Sequence, residues 1–425
     1  MLAVLKHQTY RRLFLAQVIA LAGTGLLTVA LGLLAFEIAG ANAGAVLGTA
    51  MAIKMVAYIG VAPIVGAYAN RLPRRAFLIG MDAIRAAVAL ALPFVDQIWQ
   101  VYLLIFILQS ASAGFTPTFQ ATIPDVLPEE RDYTRALSLS RLAYDLENLL
   151  SPVLAAALLT LIGFHWLFAG TAIGFVGSAL LVLATVLPGP QAQAAGKGVW
   201  RRTTHGARLY LATPRLRGLL AVTLAAAAAS AMVIVNTPVL VLGVLGLGQR
   251  EVALTMAAFG GGSMLAALLL PRLLDRLPDR AVMLGAALAT TVLLIALALL
   301  WPAHPGAQTW PLVLVGWVLL GAAYAASITP GGRLLRRSST AADRPALFAA
   351  QFALSHVCWL LAYPLAGQLG ARFGMGVALG ASAALALGGT LLAFRIWPKA
   401  DPDIIEHDHR DLSPDHPHLR DGHPD

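Results

Sequence analysis

Between Leu13 and Phe36 the chain runs for 24 residues without one charged side chain. A helix rises about 1.5 Å per residue, so about 20 apolar residues cross the hydrocarbon core of a bilayer. The pattern recurs. Apolar stretches bounded by charge clusters or by Pro and Gly breaks fall at roughly 13–36, 44–68, 76–95, 99–118, 136–160, 165–187, 216–243, 251–270, 281–300, 310–328, 346–370 and 374–397. Backbone polar groups in lipid must be satisfied within the segment or in a closed barrel, and runs of this length predict helices. The expected fold class is therefore an all-α polytopic membrane protein with 12 transmembrane helices. Only 12% of the 425 residues are Asp, Glu, Lys or Arg, about half the share of a soluble domain, which excludes soluble enzymes and disordered chains. Gly243, Gly246 and Gly248 blur the turn between the seventh and eighth runs. The single cysteine, Cys358, excludes an internal disulfide. The first run is too long for a signal-peptide core and lacks a small-residue cleavage site, so it is expected to remain as a helix.

The basic residues orient these spans. The N-terminal stretch, alternate connections and the tail, all on one side, carry 24 of the 30 Lys and Arg; the opposite side carries Arg250 and Arg372. By the positive-inside rule both termini are cytoplasmic, and the membrane is the inner, or plasma, membrane. The formal net charge of +9 is accounted for by this asymmetry and calls for no nucleic-acid partner.

The connection after the second span reads Asn70-Arg71-Leu72-Pro73-Arg74-Arg75-Ala76, with Gly80 following; the one after the eighth reads Asp275-Arg276-Leu277-Pro278-Asp279-Arg280-Ala281, with Gly285 following. At a fixed offset of 205, six of eleven positions match. Pro117 against Pro330, and Leu149-x-x-Pro152 against Leu361-x-x-Pro364, echo it more weakly. Two six-helix pseudo-repeats follow, residues 1–187 and 214–397, joined by a cytoplasmic connection at 188–213 and followed by a tail at 398–425. This is the plan of transporters whose substrate binds near the midplane between repeats.

Gly66-x-x-x-Asn70-Arg71-x-x-Arg74-Arg75 resembles the loop motif of the major facilitator superfamily, with Asn70 where that family usually has Asp; Asp275, with Arg276 and Arg280, keeps the acid in the second half. Ser151-Pro152 with Ala155 and Ala156 is similar to the antiporter motif of its efflux members, with alanine in place of glycine. The resemblance implies a twelve-helix secondary transporter working by alternating access, with these loop residues gating it, and an efflux direction driven by protons.

Charges inside the spans are candidate transport residues, because a charge at the bilayer centre costs about 3 kcal/mol even on gentle insertion scales. Asp82 with Arg85 (i, i+3) and Arg141 with Asp145 (i, i+4) share helix faces and can pair locally. Lys54 and Glu147 have no opposite charge three or four residues away. They form either a bridge between the second and fifth helices or a proton-exchanging carboxylate tuned by a lysine. Gln109, Asn236 and His356 fall near mid-span and either tie helices together or line a polar path. Met51 and Met55 flank Lys54 as soft ligands or as packing. His356 and Cys358 point about 200° apart on a helix, which precludes a shared ion. Pro238 removes a backbone donor, so the seventh helix is expected to kink or open there.

The tail holds His407, His409, His416, His418 and His423 among eight acidic residues. Neutral imidazoles with carboxylates suit Ni, Co or Zn, and the alternative is a solvated acidic tail. The arrangement is similar to tails of facilitator-type nickel and cobalt efflux permeases. No Walker loop and no nucleophile cluster is present, so the expectation is a non-enzyme that requires no cofactor. Its partners are the lipid membrane, protons and a substrate, in the first place a divalent metal ion such as nickel or cobalt, with an amphipathic organic compound such as a drug or siderophore as the alternative. A membrane receptor or sensor is the remote alternative.

Overall fold

The computed structural model describes residues 2–39, 43–68, 72–187, 204–340 and 343–399. Among them there are helices and connections and no strand. Asn70, Arg71, the five tail histidines His407, His409, His416, His418 and His423, and most of the 188–213 connection lie outside the described residues.

Twelve long helices make up the first half as α1 (Gln8–Ala39), α2 (Ala43–Tyr68), α3 (Arg74–Ala91), α4 (Ile98–Val126), α5 (Glu130–Leu159) and α6 (His165–Leu183), and the second half as α7 (Pro214–Pro238), α8 (Gln249–Leu274), α9 (Asp279–Leu299), α10 (Trp310–Ile328), α11 (Arg344–Phe373) and α12 (Met375–Ile396). By length and composition alone, ten candidate spans are found among the described residues, and α2 contributes the shorter apolar helix Thr49–Val65. The twelfth, α5, carries seven charged residues from Glu130 to Glu147.

Within the first half α1 packs on α5 and α6, α2 on α4, and α3 on α4 and α6; within the second, α7 packs on α11 and α12, α8 on α10, and α9 on α10 and α12. The halves meet along α2–α11 and α5–α8. Lipid tails are as apolar as leucine, so helices in a membrane associate through close backbone approach and interhelical hydrogen bonds. Both devices are present. A Cβ on Gly262 of α8 would lie 1.9 Å from the Val318 carbonyl oxygen of α10, and one on Gly321 of α10 would lie 1.9 Å from that of Phe259 on α8. On the other side of the bundle, Thr171 Oγ1 of α6 donates to the Gly23 carbonyl of α1 at 2.9 Å.

Helices outrun the apolar counts where their ends carry charge. α4 continues to Val126 with Pro117 and Pro124 inside it, and α5 begins at Glu130. Part of the 188–213 connection is a short helix, His205–Ala212, seated on α11: Tyr210 donates to Gln351 Oε1, and His205 Nε2 lies 3.0 Å from Asp343 Oδ1. A second short helix, Gly331–Arg337, continues beyond α10. After Pro238, α7 widens into a π-helical turn over Val239–Val244, where Leu245 N donates to Leu240 O at 2.9 Å. Gly246, at φ +67°, ends the turn in a conformation that a side chain disfavours.

Candidate functional site

Two seams between the halves frame a polar centre at mid-depth. On the first, α2 presents Lys54 and Tyr58 one turn apart, with the ammonium 5.4 Å from the Tyr58 ring centre. Tyr58 crosses to α11, meeting His356 edge-on at 4.7 Å and Phe352 at 4.8 Å. The His356 Nδ1 is 2.6 Å from the Phe352 carbonyl, so Nδ1 carries the proton and Nε2 is left to accept. Cys358, two residues on, faces the buried Ala227 and Ala231 of α7 instead.

On the second seam, Arg141 and Asp145 of α5 form an ion pair one turn apart, and Ser263 of α8 closes a triangle with them. Ser263 Oγ donates to Asp145 Oδ2 at 2.6 Å and accepts from Arg141 Nε at 3.0 Å. The Arg141 guanidinium also lies 4.8 Å from the Tyr324 ring of α10. Every charge in the triangle is thereby matched, and the pair that the sequence shows on one helix is also an interhalf contact.

Glu147 is half-buried on α5. One carboxylate oxygen would sit 3.3 Å from a Cβ on Gly25 of α1, where α1 and α5 run close. Lys54 of α2 and His356 of α11 both lie against the Tyr58 ring. No ion pair within 4.0 Å joins Lys54 to Glu147 among the described residues, so a direct bridge is not made in this conformation.

Other sequence candidates lie elsewhere. Asp82 and Arg85 are an ion pair inside the first half, the guanidinium held between the faces of Phe115 at 4.1 Å and Phe175 at 4.5 Å. Asn236 lies two residues before Pro238 on α7, and its Nδ2 donates to the Ala366 carbonyl of α11 at 3.1 Å, tying two helices of one half. Gln109 is half-buried on α4. Met51 is 47% exposed. No cluster of three or more His, Cys, Asp or Glu suited to a metal ion occurs among the described residues.

The basic end of the bundle is closed by ion pairs. Asp125 at the end of α4 accepts from Arg74 of α3 and from Arg344 of α11, which belongs to the other half. Glu130 at the start of α5 pairs with Arg333 and Arg337 of the Gly331–Arg337 helix, and both arginines reach Asp279 of α9 at 3.1 Å. Arg131 and Asp275 make a third crossing at 3.6 Å. Among the described residues, every ion pair joining the halves lies at this end. Of the loop-motif residues, Arg74 and Asp275 are in this network; Arg280 donates to the Trp397 carbonyl at 3.3 Å; Gly66 ends within α2; Arg75 and Arg276 are exposed.

Tyr58, Ser263, Tyr324, Asp125, Glu130 and Arg344 were not legible as site residues, because their partners are distant in the chain: Arg141 and Ser263 are 122 residues apart. Asp279 did carry a signal, as the acid that replaces Arg74 in the repeat.

The sequence model of the Major Facilitator Superfamily matches residues 13–304 and 219–416. Macrolide efflux protein A of Enterococcus faecalis is 28% identical over 152 residues, a match spanning 33% of this chain and 47% of that relative, less than half its length. The human organic anion transporter MFSD10 has the same fold, with a TM-score of 0.76, 13% identity and coverage of 91% of this chain and 98% of that one. A bacterial homologue of the iron transporter ferroportin, solved in an outward-facing state, gives a TM-score of 0.76 at 15% identity over 91% of this chain and 99% of its own.

Proposed function

This chain belongs to the Major Facilitator Superfamily, and from that premise we propose that it is a proton-coupled exporter of amphipathic organic compounds, macrolides among them. It is a multi-pass membrane transporter rather than an enzyme. In our reading it resides in the inner membrane with both termini cytoplasmic, so the closed end faces the cytoplasm and the conformation is outward-facing.

The observation that carries the proposal is Glu147, a half-buried carboxylate near the middle of α5 without an ion pair among the described residues, with the aromatic cluster of Tyr58, Phe352 and His356 at the α2–α11 seam. Aromatic faces give an apolar body a large contact area, and a lone carboxylate draws either a substrate amine or a proton. Exchange of one for the other across two conformations couples export to proton entry. Lys54 adjusts the affinity through its field without neutralising the acid in a contact pair. The macrolide efflux relative supports this substrate class.

A second reading, nickel or cobalt export, draws on the five tail histidines and on the fold shared with the ferroportin homologue. One experiment separates the two. The chain and its Glu147→Gln variant, expressed in a strain deleted for its own efflux pumps, are scored on a panel of macrolides, other amphipathic drugs, nickel and cobalt. Organic export predicts raised macrolide or drug tolerance that the variant loses. Tolerance raised for nickel or cobalt alone, and reduced by truncation after Pro398, would overturn it in favour of the metal.

A further inference from the structure

We propose that the cleft between the ends of α5 and α8, at the seam of the two halves, binds the phosphate of an anionic phospholipid headgroup. The cleft has a volume of about 450 Å³ and is lined by Arg131, Arg135, Leu268, Leu269, Pro271, Arg272 and Asp275. Three guanidiniums thus face one carboxylate. That carboxylate answers only Arg131, at 3.6 Å, in a pair whose side chains are 68% and 40% exposed; such pairs contribute about 0–1 kcal/mol. Arg135 leans on Asp132 of its own helix at 2.8 Å. Arg272 is exposed and makes no ion pair or hydrogen bond with any described residue. The cleft therefore holds a surplus of positive charge with a free guanidinium, whose planar fork matches the oxygens of a phosphate.

The apolar wall argues for a lipid rather than a phosphate ion from water. Arg272 is in the last turn of α8, and Arg131 and Arg135 are in the first two turns of α5. One to two turns deeper on α8, Leu265, Leu268 and Leu269 are 58%, 47% and 58% exposed, facing where acyl chains lie. The guanidiniums stand at headgroup depth directly above them. Basic pockets between transmembrane helices at this depth take anionic headgroups, and a free ion has no use for the leucines. Because Arg131 and Arg272 belong to opposite halves, one phosphate held by both bridges the seam beside the Arg131–Asp275 crossing. The inference is independent of what is transported.

The test is native mass spectrometry of the detergent-solubilised full chain, titrated with phosphatidylglycerol, phosphatidylcholine or inorganic phosphate. Phosphatidylglycerol is expected to be retained with a several-fold preference over phosphatidylcholine, and excess inorganic phosphate is expected not to displace it. Arg272→Gln and Arg131→Gln are each expected to lower retention several-fold, while Arg250→Gln, at the opposite end, leaves it unchanged. Equal retention of both lipids, or unchanged phosphatidylglycerol retention in the Arg131→Gln/Arg272→Gln double variant, overturns the proposal. Displacement by inorganic phosphate overturns it in favour of a soluble ligand. Arg272 breaks no observed contact when replaced, so its single variant decides the matter even where the double variant folds poorly.

Discussion

Asp279 stands in the second half where Arg74 stands in the first, 205 residues earlier, and the two carry opposite charge. Each is held by partners of its own: Arg74 pairs with Asp125 at the end of α4, and Asp279 pairs with Arg333 and Arg337 of the Gly331–Arg337 helix.

The acids of this network differ in burial, and that predicts different costs. The Asp279 side chain is 2% exposed and serves two arginines. Its replacement by Ala leaves Arg333, 9% exposed, short of a carboxylate, and breaking a buried pair in this way costs about 3–5 kcal/mol. Asp275→Asn removes an exposed contact and is expected to cost about 0–1 kcal/mol. Thermal unfolding of the two purified variants should separate them clearly, and equal losses would contradict the assignment.

Ser263 has no charge, yet its hydroxyl joins the Tyr324 ring in making the Arg141–Asp145 pair an interhalf contact. Ser263→Ala is expected to leave the ion pair intact and weaken the α5–α8 seam by about 1–2 kcal/mol. The readout is conformational: a cysteine placed at the basic end should be labelled faster in the variant than in the parent. Identical labelling rates would mean that the seam does not depend on this hydroxyl.

For Asn236 the expectation is structural. Its loss leaves the buried Ala366 carbonyl without its donor, a penalty of about 1–3 kcal/mol, so Asn236→Ala should lower the unfolding temperature while the substrate range stays as it was. Gly370→Ala should produce the same phenotype, because the new Cβ would lie 2.6 Å from Asn236 Oδ1. A change in which compounds are exported would instead put Asn236 in the translocation path.

Gly262 and Gly321 predict the most severe outcome. A methyl at either position meets a backbone carbonyl at 1.9 Å, which cannot move aside as a flexible side chain can. Gly321→Ala is expected to abolish the monodisperse peak in size-exclusion chromatography, whereas Gly285→Ala, with open space around it, is tolerated.

The spans were legible because hydrocarbon imposes a length and an apolar composition that the sequence displays openly. α5 was legible despite seven charges, since its apolar stretch from Ala136 retains the required length. Where its helix begins was not, because the turn from Glu130 lies beyond the apolar run and is set by ion pairs with residues some 200 positions away. At the centre, Glu147 and Lys54 stood out because a lone charge in an apolar run is conspicuous. Tyr58, Ser263 and Tyr324 did not, since a tyrosine or serine in a membrane helix is unremarkable until its neighbour on another helix is known. The π-helical turn after Pro238 was foreseen as a break but not in its form, which depends on how α7 continues rather than on the proline alone.

The closed end has one more property. Across it Asp125 and Glu130 of the first half meet Arg344, Arg333 and Arg337 of the second, and Arg131 meets Asp275 in the reverse sense. When the halves part, these paired charges enter water, and each continues to attract its partner through a gap up to the Debye length, about 8 Å in physiological salt. Such an end acts less as a latch than as a spring: the pull strengthens as the gap narrows, and raising the ionic strength on that side slackens it.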